Sequence, residues 1–285
     1  MKSKMLPTII ASLSFAAVPV AFGATYQMEL AAAYGEVDVD NYSTSQNDYS
    51  LSGTYYFSLV DTKNRPLAES AFLQKAGSVN VRGDYSRYES SYSSLDYTSE
   101  ARVYGRELGA DIYIPNSVFY LGGGVREFKA RSEWNYGENK GSSSEDWDSR
   151  WYVKAGVTPV DGMLVWSEFY EDVDVSDYWN INAKYVMPIG AEGHWLNLEA
   201  RYEATEDDGD DSQSFSMAGD YYLDSHLSLG GGVTHYTYDG DYSNDNENEY
   251  FVRANQYFTD NLAVNLKYAD GDYESSWTLG ATLRF

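Results

Sequence analysis

Along most of the chain apolar and polar residues alternate one for one. Trp277, Leu279, Ala281, Leu283 and Phe285 occupy one set of alternate positions, and Thr278, Gly280, Thr282 and Arg284 lie between them. Leu262, Val264, Leu266 and Tyr268 alternate with Asn261, Ala263, Asn265 and Lys267. Leu196, Leu198, Ala200 and Tyr202 alternate with Asn197, Glu199, Arg201 and Glu203. A period of two sends successive side chains to opposite faces of an extended strand, so each segment predicts a strand with one apolar and one polar face. Fourteen such strands are expected, beginning near Tyr26, Tyr49, Ser78, Ala101, Val118, Arg150, Met163, Trp179, Leu196, Ser214, Leu227, Tyr250, Leu262 and Trp277.

The connectors between them fall into two alternating kinds. One kind is short: Pro115-Asn116-Ser117, Pro159 to Gly162, Gly190 to Gly193, Asp224-Ser225-His226 and Thr259-Asp260-Asn261. The other is longer, acidic and rich in Ser, Asn and Gly: Asp38 to Gln46, Glu89 to Glu100, Ser132 to Asp146, Glu171 to Asp177, Glu206 to Asp211, Asp239 to Glu249 and Asp270 to Ser275. Short turns at one end and long loops at the other mark an outer-membrane barrel. One connector breaks the rule, since Val60 to Gly77 lies on the short side yet is long. Pro66 followed by Leu67, Ala71, Phe72 and Lys75 suits one short helix against the periplasmic rim, with an irregular loop as the alternative.

In hydrocarbon every backbone donor and acceptor needs a partner, so a spanning sheet must close on itself. The expected fold is therefore all-β: a transmembrane antiparallel up-and-down barrel of about 14 strands, with 12 and 16 as the neighbouring counts. A soluble β-sandwich or a repeat solenoid explains less, because neither requires connectors of alternating length. Aromatic residues near strand ends fit interfacial girdles, and the candidates are Tyr26, Tyr34, Tyr55, Phe57, Tyr85, Phe119, Trp151, Trp179, Tyr202, Tyr221, Tyr250, Phe258, Tyr268, Trp277 and Phe285.

Composition narrows the choice further. The formal charge is −24 over 285 residues, which opposes nucleic-acid binding. The mean hydropathy of −0.51 resembles that of disordered chains, yet 28 Tyr, 11 Phe and 7 Trp do not. Beyond the first few dozen positions no apolar run is long enough for a spanning helix. Residues 1–23 read as a secretory signal: Lys2 and Lys4, an apolar core from Leu6 to Val20, then Ala21-Phe22-Gly23. Residues 24–285 are then a single barrel domain. The chain has no Cys, so export is not accompanied by disulfide stapling.

The segment Leu279-Gly280-Ala281-Thr282-Leu283-Arg284-Phe285 is similar to the C-terminal assembly signal of Gram-negative outer-membrane proteins. That likeness implies the barrel assembly machinery as a partner, engaged through Phe285. Tyr55-Tyr56-Phe57-Ser58 through Val60-Asp61-Thr62-Lys63, with Pro66-Leu67-Ala68-Glu69 and Ala71-Phe72-Leu73, resembles the second-strand region of a family of general porins from marine and related Gammaproteobacteria. This resemblance implies a porin of the cell outer membrane, without a defined substrate or a set of functional residues.

The polar faces of the strands nominate a lumen. Arg82, Arg126, Arg150, Lys154, Lys184, Arg201, Arg253, Lys267 and Arg284 are the expected basic residues lining it, and Glu29, Asp84, Glu107, Asp111, Glu168, Glu199 and Asp220 the acidic ones. Charges in a narrow barrel either make a selectivity lining or pair and fill the space. Acid concentrates in the loops, notably Glu206 to Asp211 and Asp239 to Glu249. Such a mouth gathers cations. Asp239, Asp241, Asn244, Asp245, Asn246 and Glu247 offer hard oxygens, but lack EF-hand spacing and read as a solvated loop, so no metal or other cofactor is expected. Gly122-Gly123-Gly124 and Gly230-Gly231-Gly232 lie inside strands and read as relief of crowding, not as phosphate loops. Of three histidines only His235 sits where a rim base would, and no enzyme is expected. The expected function is passive diffusion of small hydrophilic solutes or ions through a narrow water-filled lumen. The alternative is a structural or surface-interaction barrel with a blocked lumen and acidic outer loops. Outer-membrane lipid is the expected surrounding.

Overall fold

In a computed structural model the fold is described for residues 25–39, 43–92, 96–171, 178–190, 193–207, 210–240 and 243–285. The expected signal segment Met1–Gly23 lies outside these residues, as does Asp241. The first strands are β1 (Thr25–Val39), β2 (Ser43–Asp61), β3 (Ser78–Tyr92), β4 (Tyr97–Tyr113) and β5 (Phe119–Tyr136). β6 (Asn139–Ser144), β7 (Asp148–Val157), β8 (Met163–Tyr170), β9 (Tyr178–Pro188) and β10 (Trp195–Asp207) follow. β11 (Asp210–Tyr222), β12 (Leu227–Gly240), β13 (Ser243–Thr259), β14 (Leu262–Gly271) and β15 (Glu274–Arg284) complete the wall.

All pairings are antiparallel. Each strand pairs with its neighbours in sequence, and β15 returns to β1 through a register running from Glu29↔Arg284 to Val39↔Glu274. β6 pairs only with the outer part of β5, while β7 continues beside the inner part, so β6 and β7 share one place in the wall. The result is a closed barrel of 14 strands. Phe285 completes the seam: its N–H donates to the Met28 carbonyl at 2.9 Å, and its own carbonyl accepts from Gln27 N at 2.7 Å and Met28 N at 3.1 Å.

The expected long loops are largely not loops. β5 and β6 continue as a hairpin from Arg131↔Ser144 to Tyr136↔Asn139, across most of the stretch read as a connector. β12 and β13 pair as far as Gly240↔Ser243. Tyr, Thr and Trp at alternate positions favour extended backbone, and cross-strand pairs carry it beyond the membrane.

One wall faces lipid. Leu51, Val81, Leu108, Met217, Leu229, Val252, Leu266 and Leu279 point outward and are exposed. Tyr34, Tyr49, Tyr85 and Tyr104 are directly opposed across β1 to β4 and their rings touch in sequence, with Trp277 against Tyr34. Tyr26, expected in a girdle, is instead buried at 2% exposure. A register shift between Tyr26 and Met28 turns it inward, where it packs with Val60 and Ala76.

Candidate functional site: a charged inner wall and an internal connector

The registers put all sixteen charged residues nominated as lumen-lining on a single face. Arg82↔Glu107↔Arg126↔Arg150 form one cross-strand row over β3, β4, β5 and β7. Lys154↔Glu168 and Lys184↔Glu199 oppose one another, and Asp220 reaches Arg253 across Gly230. Arg253↔Lys267 and Glu29↔Arg284 complete the set toward the seam. Asp84, Asp111 and Arg201 have the same parity on β3, β4 and β10.

These charges join two networks on adjoining arcs. On β4 to β8, Glu107 accepts from Arg126 Nε at 2.8 Å and from the Tyr152 hydroxyl at 2.6 Å. Arg126 Nη1 donates to the Tyr170 hydroxyl at 3.1 Å, and Tyr170 donates to Glu168 at 2.8 Å. Tyr120 donates to Asp111, which Lys154 Nζ approaches at 3.5 Å. On β9 to β13, Arg253 bridges Glu199 at 2.9 Å and Asp220 at 2.5 Å, and Asn197 Nδ2 donates to both carboxylates. Every nominated cation has a carboxylate within salt-bridge distance: Arg82 pairs with Asp84, Arg150 with Asp148, Arg201 with Glu203 and Lys267 with Glu249. Pairing of this kind suits a polar wall in a partly desolvated tube, where an isolated charge is costly.

The glycine triplets make room for this wall. A Cβ on Gly109 would lie 2.7 Å from the Tyr152 hydroxyl, and one on Gly124 would lie 2.9 Å from it. The Tyr152 side chain therefore lies across two bare stretches of backbone. Phe251 does the same over Gly232, at 2.6 Å.

The connector between β2 and β3 departs most from expectation. Leu67–Glu69 form a 3-10 turn and Ser70–Leu73 one α-helical turn, α1, and the segment lies inside the barrel instead of against its rim. Its contacts run around the whole ring. Leu67 N–H donates to Ser225 O, between β11 and β12, at 2.9 Å, and Leu67 O accepts from Arg284 Nη1 on β15 at 2.7 Å. Leu67 packs with Tyr257 and Ala263, Ala76 packs with Tyr26 and Val60, and Lys75 Nζ donates to Thr158 at 3.2 Å. A segment touching β1, β2, β9, β11, β13 and β15 together can only lie within the ring.

Glu69 anchors it. Its carboxylate is 5% exposed, accepts from the Tyr222 hydroxyl at 2.7 Å, and meets Lys184 Nζ at 2.8 Å. Arg284, 3% exposed, lies between the rings of Tyr26 and Tyr257 at 4.4 and 4.8 Å and donates to Glu29 at 2.8 Å. Sequence reasoning nominated Lys184 and Arg284 but missed Glu69, Tyr152, Tyr222 and Tyr257. Glu69 is not in a strand, whereas Tyr152, Tyr222 and Tyr257 share the parity of Arg150, Asp220 and Arg253, the signal that would have found them. The broken length rule at Val60–Gly77 was the available signal for Glu69.

At the opposite end a cavity of about 530 Å³ is lined by Glu203, Tyr236, Tyr238, Asp245 and Glu247 among others. His235 Nδ1 lies 3.0 Å from Asn248 Oδ1, and its Nε2 lies 3.3 Å from Thr237 Oγ1. His194 stacks on Tyr221, and His226 Nε2 lies 3.2 Å from Asp260.

The model of the family described as "Putative general bacterial porin" matches residues 1–142 and 138–285, which is the whole chain. The chain belongs to this porin family. No curated protein matches it in sequence. Among solved structures, Omp33, an outer membrane protein of Acinetobacter baumannii, is similar with 20% identity and a TM-score of 0.60, over 92% of this chain and all of that one. The TodX deltaS2S3 mutant, a monoaromatic hydrocarbon channel, aligns with 8% identity and a TM-score of 0.52 over 92% of this chain and 90% of that one. At these identities the structures share the fold alone. Membership of the porin family places the chain in the outer membrane as a porin-like channel protein, with the short turns on the periplasmic side.

Proposed function

We propose that the barrel lets small hydrophilic solutes or ions diffuse passively across the outer membrane, and that the connector of residues 62–77 governs passage at its periplasmic end. One observation carries this reading: a charged inner wall follows the barrel's height behind an apolar, lipid-facing exterior. A lumen meant only as packing needs no such wall, because buried ion pairs stabilise less than well-packed apolar residues of equal volume. A non-enzymatic role fits the same wall: His194 and His226 sit in turns, and His235 takes the outward parity of β12. Residues 1–23 act as the export signal in this reading, and Phe285 at the seam engages the assembly machinery.

The position of the connector favours a second reading, a barrel held closed whose outer face serves another purpose. Recordings in planar bilayers separate the two. The channel reading expects discrete conductance steps, more frequent when Glu69 is replaced by Ala. Silence from both folded proteins overturns it.

A further inference from the structure

Charged side chains on the outer wall of a membrane barrel are costly at mid-bilayer and become tolerable near the headgroups. Among the described residues, the strand Lys and Arg side chains that face outward are Arg87, Arg102, Arg106, Lys129, Arg131 and Lys140, and all lie on β3 to β6. The remaining strand cations face the lumen.

Their order along the strands is regular. Tyr49↔Tyr85↔Tyr104↔Lys129 form one cross-strand row. Two residues further from the periplasm, Arg87↔Arg102↔Arg131 form the next row, and two further still Glu89↔Glu100↔Glu133 form a third. Two residues span roughly 7 Å of strand, so the arginines stand just outside the aromatic row. Like charges directly opposed across strands destabilise a sheet, and here three guanidiniums stand in line. The glutamate row gives each arginine a carboxylate: Arg87 meets Glu89 at 2.6 Å and Glu100 at 2.9 Å, Glu100 also takes Arg102, and Glu133 takes Arg131 at 2.8 Å. Arg106 pairs with Glu127. Arg87 Nε is buried without a hydrogen-bond partner, and among the described residues Lys129 and Lys140 have no carboxylate within salt-bridge distance. Arg106 and Glu127 lie one row to the periplasmic side of the tyrosines, so the unpaired positive charge of the sector is that of Lys129 and Lys140, in a chain whose formal charge is −24.

We infer that this sector of the outer wall binds the phosphate groups of a phosphorylated lipid of the outer leaflet. Aromatic rings mark the hydrocarbon boundary, and the layer immediately outside it is where lipid phosphates lie. The guanidinium fork matches phosphate oxygens bidentately, and lysine adds a point charge. Acyl chains below would lie along Val81, Leu108 and Val125, which point outward on the same three strands and are exposed. The inference rests on the barrel's place in the outer membrane and not on conduction, so a silent channel leaves it standing.

The test uses full-length folded barrel in detergent. Binding is measured by native mass spectrometry against three probes: a bis-phosphorylated glycolipid, the same glycolipid with its phosphates removed, and inorganic phosphate. Wild type is expected to prefer the phosphorylated lipid about tenfold or more, and inorganic phosphate is expected to compete poorly. The triple variant Arg87→Gln, Arg102→Gln, Arg131→Gln is expected to lose most of that preference, and the triple Lys variant to keep part of it. Lys129→Ala with Lys140→Ala, which breaks no ion pair, gives a second route that spares the fold, with an expected loss of about fivefold or more. An unchanged preference in the folded Gln or Ala variants overturns the inference. So does equal binding of inorganic phosphate, or a sector that instead holds a second copy of the barrel.

Discussion

Lys184 on β9 and Glu69 in the β2–β3 connector stand 115 positions apart, and their charged atoms meet at 2.8 Å inside the barrel. The carboxylate is almost fully enclosed and the Tyr222 hydroxyl completes its coordination. This contact fastens the connector to the far wall, with the Arg284 bond to the Leu67 carbonyl alongside.

Replacing Glu69 with Ala removes the carboxylate and leaves Lys184 with Glu199 alone, at 3.3 Å. Losing one partner of a buried pair costs about 3–5 kcal/mol when the survivor is stranded, and less here because Glu199 remains. The expected outcome is a connector that detaches more readily, read as longer open times in single-channel recordings and faster protease cleavage within residues 62–77. Glu69→Gln keeps a hydrogen-bond acceptor for Tyr222 and should fall between the two.

Arg284→Ala acts on the seam as well as the connector. The guanidinium separates two tyrosine rings, pairs with Glu29 and holds the Leu67 carbonyl. Its removal strands a carboxylate and empties a packed space, a loss of about 3 kcal/mol or more. The midpoint of heat-induced unfolding, followed by the gel mobility of folded against unfolded barrel, should drop by several degrees.

Two glycine substitutions should behave oppositely. A Cβ on Gly124 meets the Gly109 Cα at 2.8 Å and the Tyr152 hydroxyl at 2.9 Å, so Gly124→Ala should destabilise the folded barrel by about 1–3 kcal/mol. A Cβ on Gly83 meets nothing within 4 Å, so Gly83→Ala should be neutral or stabilising by up to about 1 kcal/mol. Denaturant titrations of the two variants in detergent check the contrast.

At the outer mouth, Asp245 and Glu247 line the cavity beside Tyr236 and Tyr238. Neutralising both, as Asp245→Asn with Glu247→Gln, should lower the preference for cations measured by reversal potential. The difference should shrink between 0.1 M and 1 M salt, as the screening length falls from about 10 Å to about 3 Å.

Much of this structure is legible in one dimension, because a strand's two faces are written at every second residue. The row from Arg82 to Arg150 follows from that period alone once the hairpins are counted. Tyr26 defeats it, since a single register shift reverses which face a side chain takes, and nothing local in Tyr26-Gln27-Met28 announces the shift. Glu69 defeats it differently. Its meaning lies in Lys184 and Tyr222, which only closure of the ring brings near. The hairpin of β5 and β6 looked like a loop because its Ser, Gly and Asn residues suit turns as well as extended strands that are solvated on both faces.

The seam between β1 and β15 has a consequence in time. Every other wall contact joins strands that follow one another along the chain or, for β5 and β7, are separated only by the short β6, and can form as soon as the later one is available. The register from Glu29↔Arg284 onward cannot, so until β15 arrives the sheet has two raw edges and encloses nothing. The connector's seat is equally late, since Leu67 waits for Tyr257, Ala263 and Arg284. An interrupted chain is therefore not a smaller channel but an open sheet with two unpaired edges.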